Sequence, residues 1–235
     1  MVQSMEMLDI LGLIDGADWV ALGGLALAWA GIGWLIESPR GGRTSVTRLM
    51  SDYRREWMRQ LATRSSRIMD AQILVSLRQG TSFFASTALL ALGGLLALVG
   101  NPAPQSGVAE GLIHVAAPVQ VWQAKLLLVA LFLAHAFLKF VWAHRVFGYC
   151  SVVMAAVPDD PADPRTVRRA AQAAELNIRA ALNFNRGLRS MYFALAALAW
   201  LLGAAALGTA TLVVVWLLWS REFASGPHDI LKGGL

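Results

Sequence analysis

Cysteine is almost missing from this sequence, and basic residues are missing from its N-terminal end. The one cysteine, Cys150, cannot form a disulfide within the chain and has no second cysteine at metal-ligand spacing. We interpret it as a small buried apolar residue. Residues 1–16 carry acidic side chains but no Lys or Arg, so they lack the basic region of a secretory signal peptide. We therefore expect the first apolar stretch to remain in the protein.

Known catalytic motifs are missing as well. The sequence contains no HExxH, GxSxG, Walker A loop or Rossmann fingerprint. We therefore predict no catalytic residue, no metal site and no cofactor, and we expect a protein that is not an enzyme. A haem held by two histidines would need two copies of the chain, because His135 is the only histidine well inside an apolar stretch.

Apolar side chains, in contrast, are in excess. The chain of 235 residues is 57% hydrophobic, which is more than one soluble core of this size needs. A stretch of about 20 apolar residues crosses the roughly 30 Å hydrocarbon core of a bilayer. Four stretches reach this length: 17–36, 82–100, 124–143 and 191–219. We predict an all-α integral membrane protein with four transmembrane helices.

The positive charge of the chain is concentrated in two segments. The net charge is +5, and 16 of the 20 Lys and Arg residues lie in 37–81 and 144–190. Short loops rich in Lys and Arg stay in the cytoplasm, so both segments are predicted there. With four spans, 1–16, 101–123 and 220–235 then lie on the other side. The charge therefore indicates a membrane protein with both termini on the side opposite the cytoplasm, and we do not predict a nucleic-acid partner.

Both basic segments have helical patterns of their own, which predict long cytoplasmic helical extensions. From Val46 onward, apolar residues recur at helical spacing opposite a charged stripe. We expect this amphipathic helix to continue almost directly into the second span. In the other segment, Asp163 followed by Pro164 is typical of a helix start. This second helix is expected to continue into the fourth span.

Three stretches of the sequence resemble bacterial members of the domain of unknown function 599 family. They are RIMDAQILVSLRQGTSFFASTALL at Arg67 to Leu90, RSMYFALAALAWLLG at Arg189 to Gly203 and REF at Arg221 to Phe223. The resemblance extends over about 15–223. It implies a bacterial inner-membrane protein, in agreement with the hydropathy, and it gives no catalytic residues to carry over to this sequence.

Four polar residues fall within the predicted second and third spans. His135 and Lys139 are one helical turn apart in the third span, and Ser82 and Ser86 begin the second. Burying an ionisable group in hydrocarbon is costly, and hydroxyls can coordinate ions or water. We predict that these residues line a polar pathway in a homo-oligomeric, channel-like or transport protein. Alternatively, Lys139 extends to the lipid headgroups, His135 bonds a neighbouring helix, and the hydroxyls bond carbonyls of their own helix.

A second polar cluster is predicted at the cytoplasmic mouth of the spans. Its members are Arg67, Asp70, Arg78, Arg186 and Arg189. Such a cluster could form a pore vestibule or bind anionic lipid headgroups. Structural pairing is the alternative, notably of Arg67 with Asp70. The predicted partners are membrane lipids together with further copies of the chain, and the alternative function is an accessory or scaffold subunit of a larger membrane complex.

Overall fold

The computed structural model describes residues 15–38, 43–100 and 118–233, and within these residues the regular structure is entirely helical. The predicted segments 1–16 and 101–123 lie mostly outside them. The described elements are α1 (Gly16–Glu37), α2 (Val46–Leu61), α3 (Ile68–Gly100), α4 (Val119–Ala155), α5 (Pro164–Leu198), a 3-10 helix (Ala199–Leu202), α6 (Ala204–Phe223) and α7 (Gly226–Leu231).

Four helical stretches are long and apolar enough to cross a membrane. They are α1, α3, α4 and the Ala204–Leu231 stretch that comprises α6 and α7. Large apolar side chains on their outer faces are exposed, including Val20, Leu90 and Leu131. A soluble monomer rarely exposes so many large apolar side chains, whereas the hydrocarbon of a membrane solvates them well. The prediction of an all-α protein with several apolar helices suited to a membrane is confirmed.

The amphipathic helices of the basic segments form largely as their patterns predict. In α2, Met58 and Leu61 are fully buried. This helix ends at Leu61 instead of continuing into the next one, and α3 begins separately at Ile68. At the start of α5, Asp163 accepts a hydrogen bond from the backbone N–H of Arg165 at 2.8 Å. Hydrogen bonds from the Arg165 side chain and backbone lower the pKa of Asp163 to about 2.

Helix α5 lies at the centre of the bundle and packs most closely against α4. At one point the two helices approach across Gly187, because the ring of Phe140 occupies the space where a side chain would begin. A Cβ atom added at Gly187 would lie 2.6 Å from the nearest ring carbon. Phe84 and Phe184 surround the same ring with centroid distances of 5.6 and 5.5 Å. Close packing of this kind fixes the relative position of the helices.

The predicted fourth span, 191–219, is not one continuous helix. Helix α5 ends at Leu198, the 3-10 turn follows, and Gly203 has φ 112° and ψ 172° before α6 begins. Glycine adopts this backbone conformation readily, whereas other residues rarely do. The chain reverses here, and the end of α5 packs against α6 as a helical hairpin.

Polar contacts tie the tip of this hairpin to the starts of two other helices. The indole N–H of Trp200 donates to Asp18 Oδ1 at 2.7 Å. The ammonium of Lys125 donates to the carbonyl of Trp200 at 3.0 Å. The starts of α1 and α4 and the α5–α6 turn therefore share one end of the bundle, which we call the hairpin end.

The other end of the bundle joins the start of α2 to the end of α6. The backbone N–H and hydroxyl of Thr47 donate to the Glu222 carboxylate at 2.9 and 2.8 Å. His228 Nε2 lies 3.1 Å from the carbonyl of Thr44. We call this the basic end. The predicted segments 37–81 and 220–235 thus meet at one end of the bundle, because the chain reverses at Gly203 and α6 returns it to the basic end.

Candidate functional site

A cavity of about 640 Å³ lies between α1, α4 and α5, and we call it the basic cavity. Four of the residues predicted as functional line it: His135 and Lys139 from α4, and Arg186 and Arg189 from α5. Glu37, at the end of α1, lines it as well. The fold thus brings together two residue groups that the sequence predicts separately, and it adds one acidic side chain that the prediction missed.

Glu37 holds the two arginines side by side. Arg186 donates to both carboxylate oxygens, with Nε–Oε1 3.0 Å and Nη2–Oε2 2.5 Å. Arg189 donates to the same carboxylate through Nη2. Charge-assisted hydrogen bonds of this geometry are strong and directional. They fix both guanidinium groups and leave several of their N–H donors unused by Glu37.

Lys139 has no comparable partner. In the described part of the chain its ammonium makes neither a hydrogen bond nor an ion pair, and the side chain is only half-exposed. The three cations of the basic cavity are opposed by the single carboxylate of Glu37, so its formal charge is +2 with His135 neutral. An excess of positive charge in a partly desolvated site attracts an anion.

His135 contacts α5 and also lines the basic cavity. Its Nδ1 lies 2.7 Å from the hydroxyl oxygen of Ser190, within hydrogen-bonding distance. Its ring meets that of Trp29 edge to face, with a centroid distance of 5.3 Å. Ser190 itself is fully buried. The serine hydroxyl is therefore not presented to a substrate, although it lies beside an imidazole.

An aromatic layer closes the basic cavity beyond His135. Phe132 stacks on Phe193 at 6.2 Å and meets Trp29 edge to face at 5.7 Å. Phe193 is fully buried. Within the described helices, the basic cavity is thus blind toward the hairpin end, and one copy of the chain does not form a continuous polar path.

The hydroxyl pair predicted alongside His135 lies elsewhere. Ser82 and Ser86 are exposed on α3 and do not line the basic cavity. The neighbouring Thr87 donates to the carbonyl of Phe83, in its own helix, at 2.9 Å. Within one chain, therefore, the structure does not bring these hydroxyls to His135 and Lys139.

Asp70 is a fully buried carboxylate in the polar cluster at the start of α3. Its Oδ1 accepts from the indole N–H of Trp57 at 2.6 Å and from Arg64 Nη1 at 2.5 Å. Both donors come from α2 or from the turn that follows it. Asp70 therefore anchors the amphipathic helix α2 to α3, some way from the basic cavity.

Arg67 bonds the end of α4 instead of Asp70. Its guanidinium donates to the carbonyls of Val157 and Pro158 at 2.5 and 2.8 Å. The predicted pairing of Arg67 with Asp70 is therefore wrong. The turn after Leu61 brings Arg64 to the carboxylate, and Arg67 reaches the carbonyls beyond the end of α4.

Arg78 lies at the contact between α3 and α4. Its Nη2 is 3.4 Å from His144 Nε2. The hydroxyl of Thr81 donates to the carbonyl of Arg78 at 2.7 Å. Arg78 is half-buried and does not line the basic cavity. Of the five residues predicted at the mouth, the cavity therefore includes Arg186 and Arg189.

A wider cleft of about 800 Å³ adjoins the basic cavity at the basic end. The two share Glu37, Lys139 and Arg186 in their walls. The cleft runs between α2, α4 and α5 and is lined by many polar side chains. The shared residues make the basic cavity accessible from the basic end of the bundle.

A further arginine, Arg54, lies half-buried between α2 and the α4–α5 pair. Arg54 Nη1 donates to the amide oxygen of Asn177, which is fully buried. The Asn177 amide nitrogen lies 3.8 Å from the sulfur of Cys150. Burial lowers the pKa of Arg54, and the nearby Cys150 acts weakly in the opposite direction. This cluster joins α2 to the bundle, and Cys150 is buried as its sequence context predicts.

Comparison with known proteins gives one match. A family model described as "Protein of unknown function, DUF599" matches residues 20–227, a range that includes every residue of the basic cavity. No curated protein and no solved structure gave a significant match. Among the described residues, no group of three or more His, Cys, Asp or Glu side chains is placed to hold a metal ion.

Proposed function

Because this chain belongs to the DUF599 family, whose function is unknown, we propose from its geometry that it is a membrane protein that binds an anionic ligand in the basic cavity. The observation that carries the proposal is the charge of that cavity. Three cations line it with a single carboxylate, which pairs with Arg186 and Arg189, and the ammonium of Lys139 is unpaired among the described residues. An anion would complete the site.

The energetic argument favours a phosphate or carboxylate group. Two opposite charges about 4 Å apart near a protein surface attract each other by about 4 kcal/mol. Guanidinium groups match the oxygens of phosphates and carboxylates with paired hydrogen bonds. Glu37 has already fixed Arg186 and Arg189, so little conformational entropy is lost when the anion binds.

Binding is proposed here in preference to catalysis. The one imidazole–hydroxyl pair at the basic cavity, His135 and Ser190, has its hydroxyl buried and outside the cavity wall. A nucleophile must reach the substrate to act. The geometry therefore supports recognition of a charged group, and it does not present the hydroxyl paired with His135 to a substrate.

The proposal is tested with the purified full-length protein in detergent. Melting temperatures are measured in inorganic phosphate and in chloride at equal ionic strength for wild type, Lys139→Gln and Arg168→Gln. Arg168 is an exposed arginine of α5 outside both cavities, so its replacement is a matched control.

An anion that binds the folded state stabilises it by about 2.7 kcal/mol at one hundred times its Kd. We expect phosphate to raise the melting temperature of wild type and Arg168→Gln clearly, and that of Lys139→Gln much less. Equal melting temperatures of the wild type in phosphate and in chloride would contradict the proposal.

A homo-oligomeric channel or transport protein is the second candidate. The observation that favours it is a polar cavity that reaches His135 from the basic end. Because Phe132 and Phe193 close that cavity in one copy, a pathway would have to form between copies. Liposomes containing the protein should then show ion flux between pH 5 and 8, and no flux would contradict this candidate. Stoichiometric co-purification with other subunits would favour a scaffold role instead.

The same proposal includes an orientation in the membrane. The arginine-rich segments lie at the basic end, and such segments stay in the cytoplasm of bacterial inner-membrane proteins. With that end inside, the start of α1 lies outside and α7 lies inside. The protein would then cross the bilayer five times, because α5 and α6 each make a pass.

A further inference from the structure

The walls of the basic cavity differ in character from one side to the other. The charged groups lie toward the basic end, whereas Trp29, Ala30 and Gly33 of α1 contribute an apolar wall. A free inorganic anion needs only the charged side. A ligand that uses both sides must carry a charged head and an apolar body.

The rim of the cavity is exposed to the surroundings of the bundle. Trp34 lines the cavity and is 63% exposed, so its indole lies at the rim. On α4, Trp142 lines the adjoining cleft and is 49% exposed. Tryptophan is enriched where a membrane meets water, because its ring is apolar and its N–H is polar. Both indoles are therefore placed at the level of lipid headgroups.

The gap between α1 and α4 gives a lateral route into the cavity. The two helices meet through Trp29, whose ring contacts Phe132 and His135. They do not otherwise pack closely, since α1 packs mainly on α6 and α4 packs mainly on α5 and α3. Toward the basic end from Trp29, the exposed residue Ala30 lines the cavity on the α1 side. An acyl chain can leave the cavity there without crossing the charged groups.

We infer that the ligand is a membrane lipid with a phosphomonoester headgroup, whose phosphate is held by Lys139, Arg186 and Arg189 while its acyl chains leave between α1 and α4. This inference rests on the proposed anion-binding function. The formal charge of +2 matches a phosphomonoester, which carries close to two negative charges at neutral pH. A phosphodiester group carries one negative charge, so it would leave one cation of the basic cavity without a partner.

The test measures binding of four probes to the purified full-length protein by native mass spectrometry. The probes are phosphatidic acid, phosphatidylglycerol, phosphatidylethanolamine and the soluble headgroup glycerol 3-phosphate. Three variants accompany the wild type. Lys139→Gln removes the unpaired cation, Arg168→Gln is the charge-matched control, and Ala30→Phe narrows the lateral gap at an exposed position.

We expect phosphatidic acid to bind wild type at least about tenfold more tightly than phosphatidylglycerol, which loses one ionic contact. Glycerol 3-phosphate keeps the ionic contacts but lacks the acyl chains, and we expect it to bind at least about tenfold more weakly because it buries less apolar surface. Lys139→Gln should weaken the binding of phosphatidic acid by about tenfold, and Arg168→Gln should leave this binding unchanged. Ala30→Phe should weaken the binding of phosphatidic acid, because the acyl chains no longer fit through the gap, but it should not weaken the binding of glycerol 3-phosphate. Circular dichroism and size-exclusion chromatography identify a variant that has lost its fold.

Each contrary result has a distinct meaning. If glycerol 3-phosphate binds as tightly as phosphatidic acid and Ala30→Phe changes neither, the lipid inference is overturned while the anion-binding function stands. Equal binding of phosphatidylglycerol overturns the phosphomonoester preference. If no probe binds, or if Arg168→Gln weakens binding as much as Lys139→Gln, both the inference and the proposed function are overturned.

Discussion

Trp200 donates its indole N–H to Asp18 at 2.7 Å and so joins the tip of the α5–α6 hairpin to the start of α1. At the opposite end, Thr47 and Glu222 join α2 to the end of α6. Trp200 and Glu222, which make these two contacts, are 22 residues apart in the sequence, and α6 spans most of the distance between them. Residues 15 and 233 are therefore at opposite ends of the bundle.

This arrangement predicts which residues are accessible from each side of the membrane. The single native cysteine, Cys150, is fully buried, so one added cysteine can be labelled selectively. In intact cells, a membrane-impermeant maleimide should label Asp15→Cys and should label Lys232→Cys only after the membrane is opened. Labelling of both variants in intact cells would support the four-span arrangement with both termini outside.

Replacing Gly203 should destabilise the hairpin. At φ 112° and ψ 172°, an alanine is strained, which costs about 1–3 kcal/mol. We expect Gly203→Ala to lower the free energy of unfolding in detergent by that amount. Gly208→Ala is the matched control, because Gly208 lies within α6 with nothing within 4 Å of an added Cβ. Equal stabilities of the two variants would show that the turn is not held in this conformation.

Gly187→Ala should loosen the contact between α4 and α5. The added methyl would lie 2.6 Å from the ring of Phe140, which is fully buried and packs against Phe84 and Phe184. Overpacking of this kind costs about 1–3 kcal/mol, against a gain of about 1 kcal/mol from helix propensity. We expect a lower melting temperature, partly restored in the double variant with Phe140→Leu. Gly80→Ala, where an added Cβ meets open space, should not lower it.

Local patterns in the sequence predicted much of the helical structure. Hydropathy over about 20 residues identifies α1, α3 and α4, because each must match the bilayer by its own composition. Asp163 and Pro164 predict the start of α5 for a similarly local reason, since a cap acts within one turn. The break at Gly203 was missed because apolar residues continue on both sides of it. A single glycine in such a run is equally typical of close helix packing.

The candidate site depended on contacts that no local pattern reveals. His135 and Lys139 were predicted as a pair because they are one turn apart, and both line the basic cavity. Their connection to Arg186 and Arg189 was not predicted, because it arises from the packing of α4 on α5. Glu37 was missed altogether, since its partner Arg186 is 149 residues away in the sequence. The available signal was an acidic side chain at the arginine-rich end of an apolar stretch.

Glu37→Gln should separate the structural and the binding roles of the basic cavity. Glutamine keeps the shape of the side chain but removes the one negative charge, so the formal charge of the cavity rises from +2 to +3. The arginines lose their carboxylate, and the variant without ligand should be less stable than wild type, by an amount moderated by the partial exposure of Arg186. An anion should bind to this variant more tightly than to wild type, because it replaces the negative charge that Glu37 supplied. We expect a lower melting temperature in chloride and a larger rise with phosphatidic acid than the wild type shows. A variant that is less stable in chloride and gains no more from phosphatidic acid than wild type would indicate that Glu37 only supports the fold, and that its arginines do not meet a bound anion.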